Sequence, residues 1–191
     1  MKNNTSNLLQ QILDHIQLSP SDVDFITSLF VLKTYPKNEI LYEANQFLNK
    51  LYFVNEGLLK KIYLNEDGKE FIVGFALENW WESDFESFFY QSKTNTSLIA
   101  IEKTMVLEIT YTNYRLLLQK HPVIMHFFLE KAYSGSIASQ NRIISTFALD
   151  AETKYLQLIK KYPEWVKRIP KKYLASYLGL SRETLSRFIK K

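Results

Sequence analysis

The end of the chain carries polar and charged side chains whose spacing suits contact with the edges of DNA bases. Arg182, Glu183, Ser186 and Arg187 lie within six residues, so the first two turns of a helix would present them. An arginine can donate two hydrogen bonds to O6 and N7 of guanine, and a glutamate can accept one from N4 of cytosine. Ser181, directly before them, is a typical N-cap residue. The segment therefore predicts a base-contacting helix.

A second short helix and a turn precede this segment. Leu174 and Leu178 recur at helical spacing, and Gly179 supplies the backbone freedom that a tight turn between helices requires. The apolar residues after the turn are also helically spaced: Leu185, Phe188 and Ile189. Residues 170–191 therefore predict a helix-turn-helix whose second helix enters the major groove of DNA. The alternative is a solvated helix pair that packs on the preceding domain.

Charge is distributed unevenly along the 191 residues. Residues 151–191 hold eleven Lys or Arg residues against three acidic ones, whereas the remainder holds thirteen basic and seventeen acidic residues. A basic segment beside a weakly acidic one is typical of a nucleic-acid-binding tail. Lys171, Lys172, Ser181 and Thr184 flank the predicted turn, so we expect them to contact DNA phosphates.

The run Ser181-Arg182-Glu183-Thr184-Leu185-Ser186-Arg187 resembles the recognition helix of the Crp/Fnr family of bacterial transcription regulators. The family motif there is close to S-R-E-T followed by a spaced Arg. The resemblance implies that Arg182, Glu183 and Arg187 contact bases. It also implies a homodimer that binds a palindromic site in double-stranded DNA through the helix at 181–189, with RNA polymerase as a further partner.

The region before this segment is rich in strand signals. Predicted helices at 8–16 and from Pro20 come first, and Asp67-Gly68 forms a predicted hairpin turn. The predicted strands are 29–32, 51–54, 58–64, 70–77, 97–101 and 105–109. This region resembles the cyclic-nucleotide-binding β-roll of the same family at Tyr35-Pro36-Lys37, Ile40-Leu41-Tyr42, Leu51-Tyr52-Phe53-Val54 and Glu56-Gly57. Asn45 stands in place of a family glycine and tolerates the left-handed conformation.

A long helix is predicted at 123–147, after His121-Pro122. Its apolar or small residues could form one stripe: Ile124, Phe128, Ala132, Gly135, Ala138 and Ile143. The resemblance implies that this helix pairs with its twin in a dimer, and the alternative is a helix buried within one chain. Asp150 is the predicted cap of the next helix, with a hinge at 148–150. There is room after Pro163 for only a shortened form of the family's hairpin wing.

These elements predict an α+β protein of three parts. Residues 1–122 form an N-terminal double-stranded β-helix, or jelly roll, which is the sensor domain with its N-terminal helices. Residues 123–148 form the dimerisation helix. Residues 149–191 form a C-terminal, winged-helix-like helix-turn-helix domain.

The residues of the implied ligand pocket depart from the family pattern. Members that bind cyclic nucleotides carry a Gly-Glu-Leu step and an Arg-Ser or Arg-Thr pair, in which the Arg neutralises the cyclic phosphate. Here Thr96 stands at the Arg position before Ser97, and Glu86 stands at the Glu position behind Phe85. Without the arginine, a buried phosphate lacks its charge-assisted partner. We therefore expect the chain not to bind cyclic AMP or cyclic GMP.

An aromatic patch around Trp81 and Phe85 has two interpretations. Its rings either form a pocket for an unknown, more apolar effector or fill the core, and the core is the commoner place for such clusters. Lys93 is an alternative phosphate partner in a predicted loop.

Other chemistry finds little support. The chain has no cysteine, which excludes disulfides, thiolate zinc sites and cysteine-ligated iron–sulfur clusters. His15, His121 and His126 do not cluster with carboxylates at metal-ligand spacing, and no catalytic motif stands out. We expect no enzyme activity, no metal or other cofactor, no membrane association and a cytoplasmic location.

Three hypotheses remain open at this point. The chain is a DNA-binding regulator with an inactive pocket, a sensor for a non-nucleotide small ligand, or a ligand-binding or interaction module that does not bind DNA. The only support for the third is that the strand which trails the recognition helix in many members of the resembled family is missing here.

Overall fold

The computed structural model describes residues 6–14 and 16–189. The helices in these residues are α1 (Ser6–Leu13), α2 (Pro20–Ser28), α3 (Phe85–Tyr90), α4 (Tyr111–Lys120), α5 (Ile124–Ala148), α6 (Ala151–Lys161), α7 (Pro163–Arg168), α8 (Lys171–Leu178) and α9 (Arg182–Ile189). The strands are β1 (Phe30–Tyr35), β2 (Ile40–Tyr42), β3 (Lys50–Glu56), β4 (Leu59–Leu64), β5 (Glu70–Ala76), β6 (Trp81–Glu82), β7 (Thr96–Ala100) and β8 (Thr104–Thr110).

The strands form two four-stranded antiparallel sheets that face each other as a roll. Sheet A has the order β1-β8-β3-β6, and sheet B has the order β2-β7-β4-β5. The hairpin β4–β5 turns at Gly68, whose φ of 74° is left-handed, as its Asp-Gly turn predicts. Asn45 also has a positive φ, 70°, so an asparagine does support the turn there.

Three hydrophobic clusters of the described residues hold the two sheets and the helices together. They form on both sides of the sheets, since each sheet carries apolar side chains on both faces. Apolar side chains from both sheets fill the roll interior, among them Tyr52, Leu59 and Leu98. The outer face of sheet A packs against α1 to α5. The outer face of sheet B packs against α6 to α9 through a cluster that includes Phe75 and Trp165, and we call it the interface cluster. The C-terminal helices therefore pack on the outer face of sheet B.

Most of the predicted elements appear. The six predicted strands correspond to β1, β3, β4, β5, β7 and β8, and the α+β fold with a jelly roll, a long helix and a C-terminal helix-turn-helix is confirmed. The short elements β2, β6 and α3 were not predicted. The first predicted helix extended over residue 15, which lies outside the described residues, and α1 ends at Leu13. Where a shortened wing was expected, the chain forms α7, which begins at Pro163 because proline suits a first helical turn.

The long helix α5 has its predicted length, and its predicted stripe divides into a buried start and a more exposed remainder that includes Ala132, Gly135 and Ile143. Ile124 is fully buried and Phe128 packs against the sheet A cluster, so the start of the predicted stripe faces the chain's own core. Large apolar side chains are exposed along the helix: Met125, Leu129, Tyr133, Ile137, Ile143, Ile144 and Phe147. These residues share one side because their spacing follows the helical period.

Candidate nucleic-acid interface and roll interior

The turn between α8 and α9 is built by local backbone chemistry. Gly179 has a φ of 68°, and this left-handed conformation ends α8 as a glycine C-cap. The Leu180 N–H donates to the Ala175 carbonyl at 2.9 Å, which closes the turn. Leu174 and Leu185 are fully buried in the interface cluster, so the two helices are held by their apolar sides. The opposite side of α9 is left to solvent.

Ser181 caps α9 as predicted. Its Oγ accepts the Thr184 N–H at 3.1 Å and lies 3.0 Å from the Thr184 hydroxyl. The backbone N–H at the helix start and the Ser181 hydroxyl lower the pKa of Glu183, which keeps its carboxylate ionised. An ionised carboxylate is the form that can accept a hydrogen bond from a base.

The side chains predicted to contact bases lie on the exposed side of α9. Arg182, Glu183 and Arg187 are exposed, and Ser186 is half-buried beside them. We call these four residues the α9 surface. Within the described residues, neither arginine forms a hydrogen bond or an ion pair with a carboxylate. These arginines are therefore available to an external acceptor.

The predicted phosphate contacts occupy the starts of both helices. Lys171 and Lys172 are exposed in the first turn of α8, and the Lys172 ammonium lies 4.6 Å from the centre of the Tyr173 ring. Ser181 is exposed, and Thr184 is half-buried one turn into α9. A helix start carries unpaired backbone N–H groups, which also favour a phosphate.

The residues predicted to line a ligand pocket do not converge. Thr96 and Ser97 are buried in β7, whereas Glu86 and Phe85 are exposed on α3. Trp81 packs on the outer face of sheet A, with its ring centre 5.3 Å from that of Phe53. For this ring, the interpretation as core describes the structure. Lys93 is exposed and lies over the ring of Phe47.

Polar side chains outside the predicted pocket lie in this part of the roll. The Lys61 ammonium lies 2.6 Å from the Glu82 carboxylate and donates to the Ser83 carbonyl at 3.0 Å. Nearby, the Asp84 carboxylate accepts the Thr94 hydroxyl at 2.6 Å. We call Lys61, Glu82, Ser83, Asp84 and Thr94 the roll's polar cluster. The carboxylate next to the buried threonines is thus Asp84 rather than Glu86.

Burial and hydrogen bonding act in opposite directions on Asp84. Burial alone would raise the pKa of its carboxyl, but the hydrogen bonds from Thr94 and Ser87 outweigh this effect, and the pKa is lowered. The Thr96 hydroxyl lies 3.4 Å from the same carboxylate. The Thr94 hydroxyl and the Lys61 ammonium are therefore engaged with the protein's own carboxylates.

Depressions of the described surface occur on the C-terminal helices. One of about 670 Å³ is lined by residues of α6 and α7, including Leu156, Ile159 and Val166. Another of about 290 Å³ lies beside Trp80 and Arg168. Within the described residues, no group of three His, Asp or Glu side chains is arranged to hold a metal ion. None of the helices there combines the length and the hydrophobicity needed to cross a bilayer.

An antiparallel roll, a long helix and a helix-turn-helix together define the class of regulators built on a cyclic nucleotide-binding domain. Residues 32–121 match the family of that description, the cyclic nucleotide-binding domain. The chain is 26% identical over 170 residues to the cAMP-activated global transcriptional regulator CRP of Haemophilus influenzae, covering 83% of this chain and 75% of that protein. It is 24% identical to the regulator of the same name from Pasteurella multocida, covering 92% and 90%.

Among solved structures, the fold is similar to that of CLP from Xanthomonas campestris, which is described as a c-di-GMP-responsive global regulator. That match has a TM-score of 0.73 at 16% identity and covers 90% of each chain. Together these likenesses support the resemblance to the Crp/Fnr family of bacterial transcription regulators that the recognition-helix motif predicted. Its relatives are transcription regulators rather than enzymes, which confirms the corresponding prediction.

Proposed function

We propose that this regulator is a homodimer that binds a palindromic DNA site through α9 and does not respond to cyclic AMP. The α9 surface carries this proposal. Arg182 and Arg187 are exposed and without a carboxylate partner in the described residues, on a helix whose opposite side is anchored by buried Leu185. A rigid helix with free forked donors suits the pattern of acceptors in the major groove.

The charge around α9 supports a DNA partner. Lys171 and Lys172 start α8, and the segment from residue 151 carries a clear excess of basic residues. These lysines would bind phosphates without regard to sequence, whereas the arginines would select bases. Ser181 and Thr184 add hydroxyl groups at the start of α9.

The exposed stripe of α5 supports a second copy as its partner. Tyr133 is 61% exposed and Phe147 is 85% exposed, although both are large apolar side chains. The stripe continues over most of the 25-residue helix, so two copies could pair along it. A dimer would place two α9 helices to meet half-sites about one turn of DNA apart. RNA polymerase is a further proposed partner.

The roll's polar cluster supports the absence of a cyclic-nucleotide response. Lys61 acts electrostatically on Asp84, the carboxylate that accepts from Thr94, but its ammonium is paired with Glu82 and donates to Ser83. The neighbouring Asp84 would repel a phosphate. We therefore assign residues 1–122 as a scaffold, 123–148 as the dimerisation helix and 149–191 as the DNA-binding part.

A binding selection tests the DNA proposal. The purified protein is used to select sites from a random duplex pool, and affinity is measured by fluorescence anisotropy at two salt concentrations. Arg182→Ala with Arg187→Ala should weaken binding to the selected site at least about thirtyfold, because each base-contacting arginine contributes about 1–3 kcal/mol. The matched control is Arg115→Ala on α4, an exposed arginine away from α9. Equal affinity of the double variant and the wild type would contradict the proposal.

A thermal-shift series tests the ligand part. A ligand that binds only the folded state adds about 2.7 kcal/mol of stability at a hundred times its dissociation constant. We expect no shift with cyclic AMP or cyclic GMP. A shift with either would contradict the filled interior, and a shift with another metabolite alone would favour the non-nucleotide sensor.

A further inference from the structure

The edge strand of sheet B is joined to the long helix by one arginine. β5 is the last strand in the order β2-β7-β4-β5, so one of its sides has no strand partner. Arg142 of α5 donates from its guanidinium to the carbonyls of Ile72, at 2.8 Å, and Val73. Edge carbonyls need partners, and here a side chain of the long helix supplies them.

The same guanidinium also reaches the helix-turn-helix. Arg142 donates to the Tyr177 carbonyl in α8 at 3.3 Å and lies 4.1 Å from the centre of the Tyr177 ring. In α8, the Ser176 hydroxyl accepts the Ile72 N–H at 3.3 Å. One planar group thus connects α5, β5 and α8, a geometry that a forked guanidinium can satisfy and a point-like ammonium cannot.

A second arginine strengthens the same contact from α7. Arg168 donates twice to the Glu78 carboxylate, each time at 2.8 Å, and also pairs with Glu102. Between the two arginines lies the interface cluster, in which the ring of Trp165 packs edge-on against Phe75. The contact between the C-terminal helices and the roll is therefore polar at both ends and apolar in the middle.

This contact leaves the α9 surface uncovered. Arg182 and Arg187 remain exposed, and so do Lys171 and Lys172. An inhibitory contact would cover the residues that bind DNA, and this one uses the other sides of α7 and α8. Inside the roll, the Lys61 ammonium is paired with the Glu82 carboxylate, so this cation is not free to hold a ligand anion.

We propose that Arg142 is a positioning residue for DNA recognition, which holds α9 in a fixed orientation relative to α5 without any small ligand. This inference rests on the proposed dimeric DNA binding. In a dimer along α5, the angle between α5 and α8 sets the distance between the two α9 helices. Two half-sites can be bound together only if that distance fits the DNA, and the gain from double engagement is lost when it does not.

The test compares a full palindromic site with a duplex that carries one half-site. Arg142→Met should weaken binding to the full site at least about tenfold and change half-site binding less than about twofold. Arg142→Lys should fall between Met and wild type, because it keeps the charge but not the fork. Arg115→Met is the matched control and should change neither affinity.

A distance measurement provides the structural readout. The natural chain has no cysteine, so spin labels can be placed at Lys103→Cys on the roll and Gln157→Cys on α6 alone. Labelled chains are diluted with unlabelled ones, and the intrachain distance distribution is recorded. It should be narrow in the otherwise unchanged protein without ligand and broader with Arg142→Met. Glu78→Gln, which weakens the second arginine contact, should broaden it less and lower full-site affinity less.

The outcomes separate the two proposals. Equal loss of full-site and half-site binding would make Arg142 a residue of general structural importance and overturn its positioning role. An unchanged distance distribution and unchanged full-site affinity in Arg142→Met would also overturn it. If the wild type bound no DNA while the distribution still broadened, the fixed contact would stand and the proposed function would fail.

Discussion

The roll's polar cluster and the α9 surface both hold charged side chains, but the charges are paired in the cluster and lack carboxylate partners on the surface. In the roll, Lys61 is paired with Glu82, and Asp84 accepts from Thr94. On α9, Arg182 and Arg187 have no carboxylate partner among the described residues. Removing one partner of a charge pair inside a protein destabilises the fold, whereas a charge left open at the surface can bind something else. The charges of the first region therefore serve the fold, whereas those of the second are available for the proposed DNA recognition.

Substitutions in the two regions should therefore change different quantities. Those in the roll should change the free energy of unfolding, and those on α9 should change DNA affinity.

Lys61→Met should lower the free energy of unfolding by about 3 kcal/mol, because Glu82 is left as a buried carboxylate without its counter-ion. Urea unfolding measures this loss. Adding Glu82→Leu to the same chain should recover most of it, since the double variant buries no unpaired charge. Lys37→Met, at an exposed position, is the control. A single variant as stable as this control would remove the distinction between the two regions.

Glu108 provides a pH test of the roll interior. Burial alone would raise the pKa of its carboxyl, but hydrogen bonds from Lys50 and Tyr35 outweigh this, and the pKa lies below its ordinary 4.5. The lowered pKa contributes stability that is present above pH 4.5 and is lost as the pH falls through the folded-state value.

Glu108→Gln should therefore lose about 2 kcal/mol at neutral pH, where charge-assisted hydrogen bonds are removed, and should show a shallower loss of stability below pH 4.5 than wild type. Urea unfolding across the acid range measures both quantities. Glu66→Gln, at an exposed turn residue, should follow the wild-type curve. Parallel curves for Glu108→Gln and wild type would show that this carboxylate does not couple to folding.

Ser181→Ala should lower the free energy of unfolding by about 1 kcal/mol, because the N-cap of α9 loses the acceptor of the Thr184 N–H. Ser186→Ala, in the same helix but away from the cap, should stay within about 0.5 kcal/mol of wild type. Thermal unfolding of both variants measures the two changes in the free energy of unfolding. A larger loss for Ser186 than for Ser181 would contradict the capping role.

Arg182→Ala with Arg187→Ala should change the free energy of unfolding by less than about 0.5 kcal/mol, because both side chains are exposed and lack carboxylate partners in the described residues. The same protein preparation should have lost binding to the selected DNA site. Destabilisation on the scale of Lys61→Met would mean that these arginines serve the fold, and the comparison between the regions would then fail.

Local patterns made much of this molecule predictable. Gly179 and Ser181 define the turn of the helix-turn-helix by backbone chemistry within a few residues, and Asp150 caps α6 with its carboxylate 2.9 Å from the Thr153 N–H. The strands follow from runs of apolar and β-branched residues. In each of these cases the interacting groups are close in sequence.

The polar cluster was not predictable in the same way. Lys61 and Glu82 are 21 residues apart, and the register of β4 against β5 shifts between Lys61 and Ile62. Such a shift alters the alternation of inward and outward side chains. A period-two pattern therefore cannot predict whether the Lys61 side chain points into the roll. The exposed stripe of α5 was predicted only in part for a related reason. Helical spacing shows that apolar residues share a side, but packing decides which side is covered. Here Phe128 packs against the sheet A cluster and is covered by it.

The interface cluster has a consequence for how this protein could have been assembled in evolution. Its members come from the strands, such as Ile72 and Phe75, as well as from α6 to α9. A transplanted C-terminal segment would lose the residues of the roll that it packs against, and the roll would expose apolar residues such as Phe75. We therefore expect the roll and the C-terminal helices to unfold in one transition and to be inherited together. Recombination at the hinge should be tolerated only when the new domain carries a complementary apolar surface.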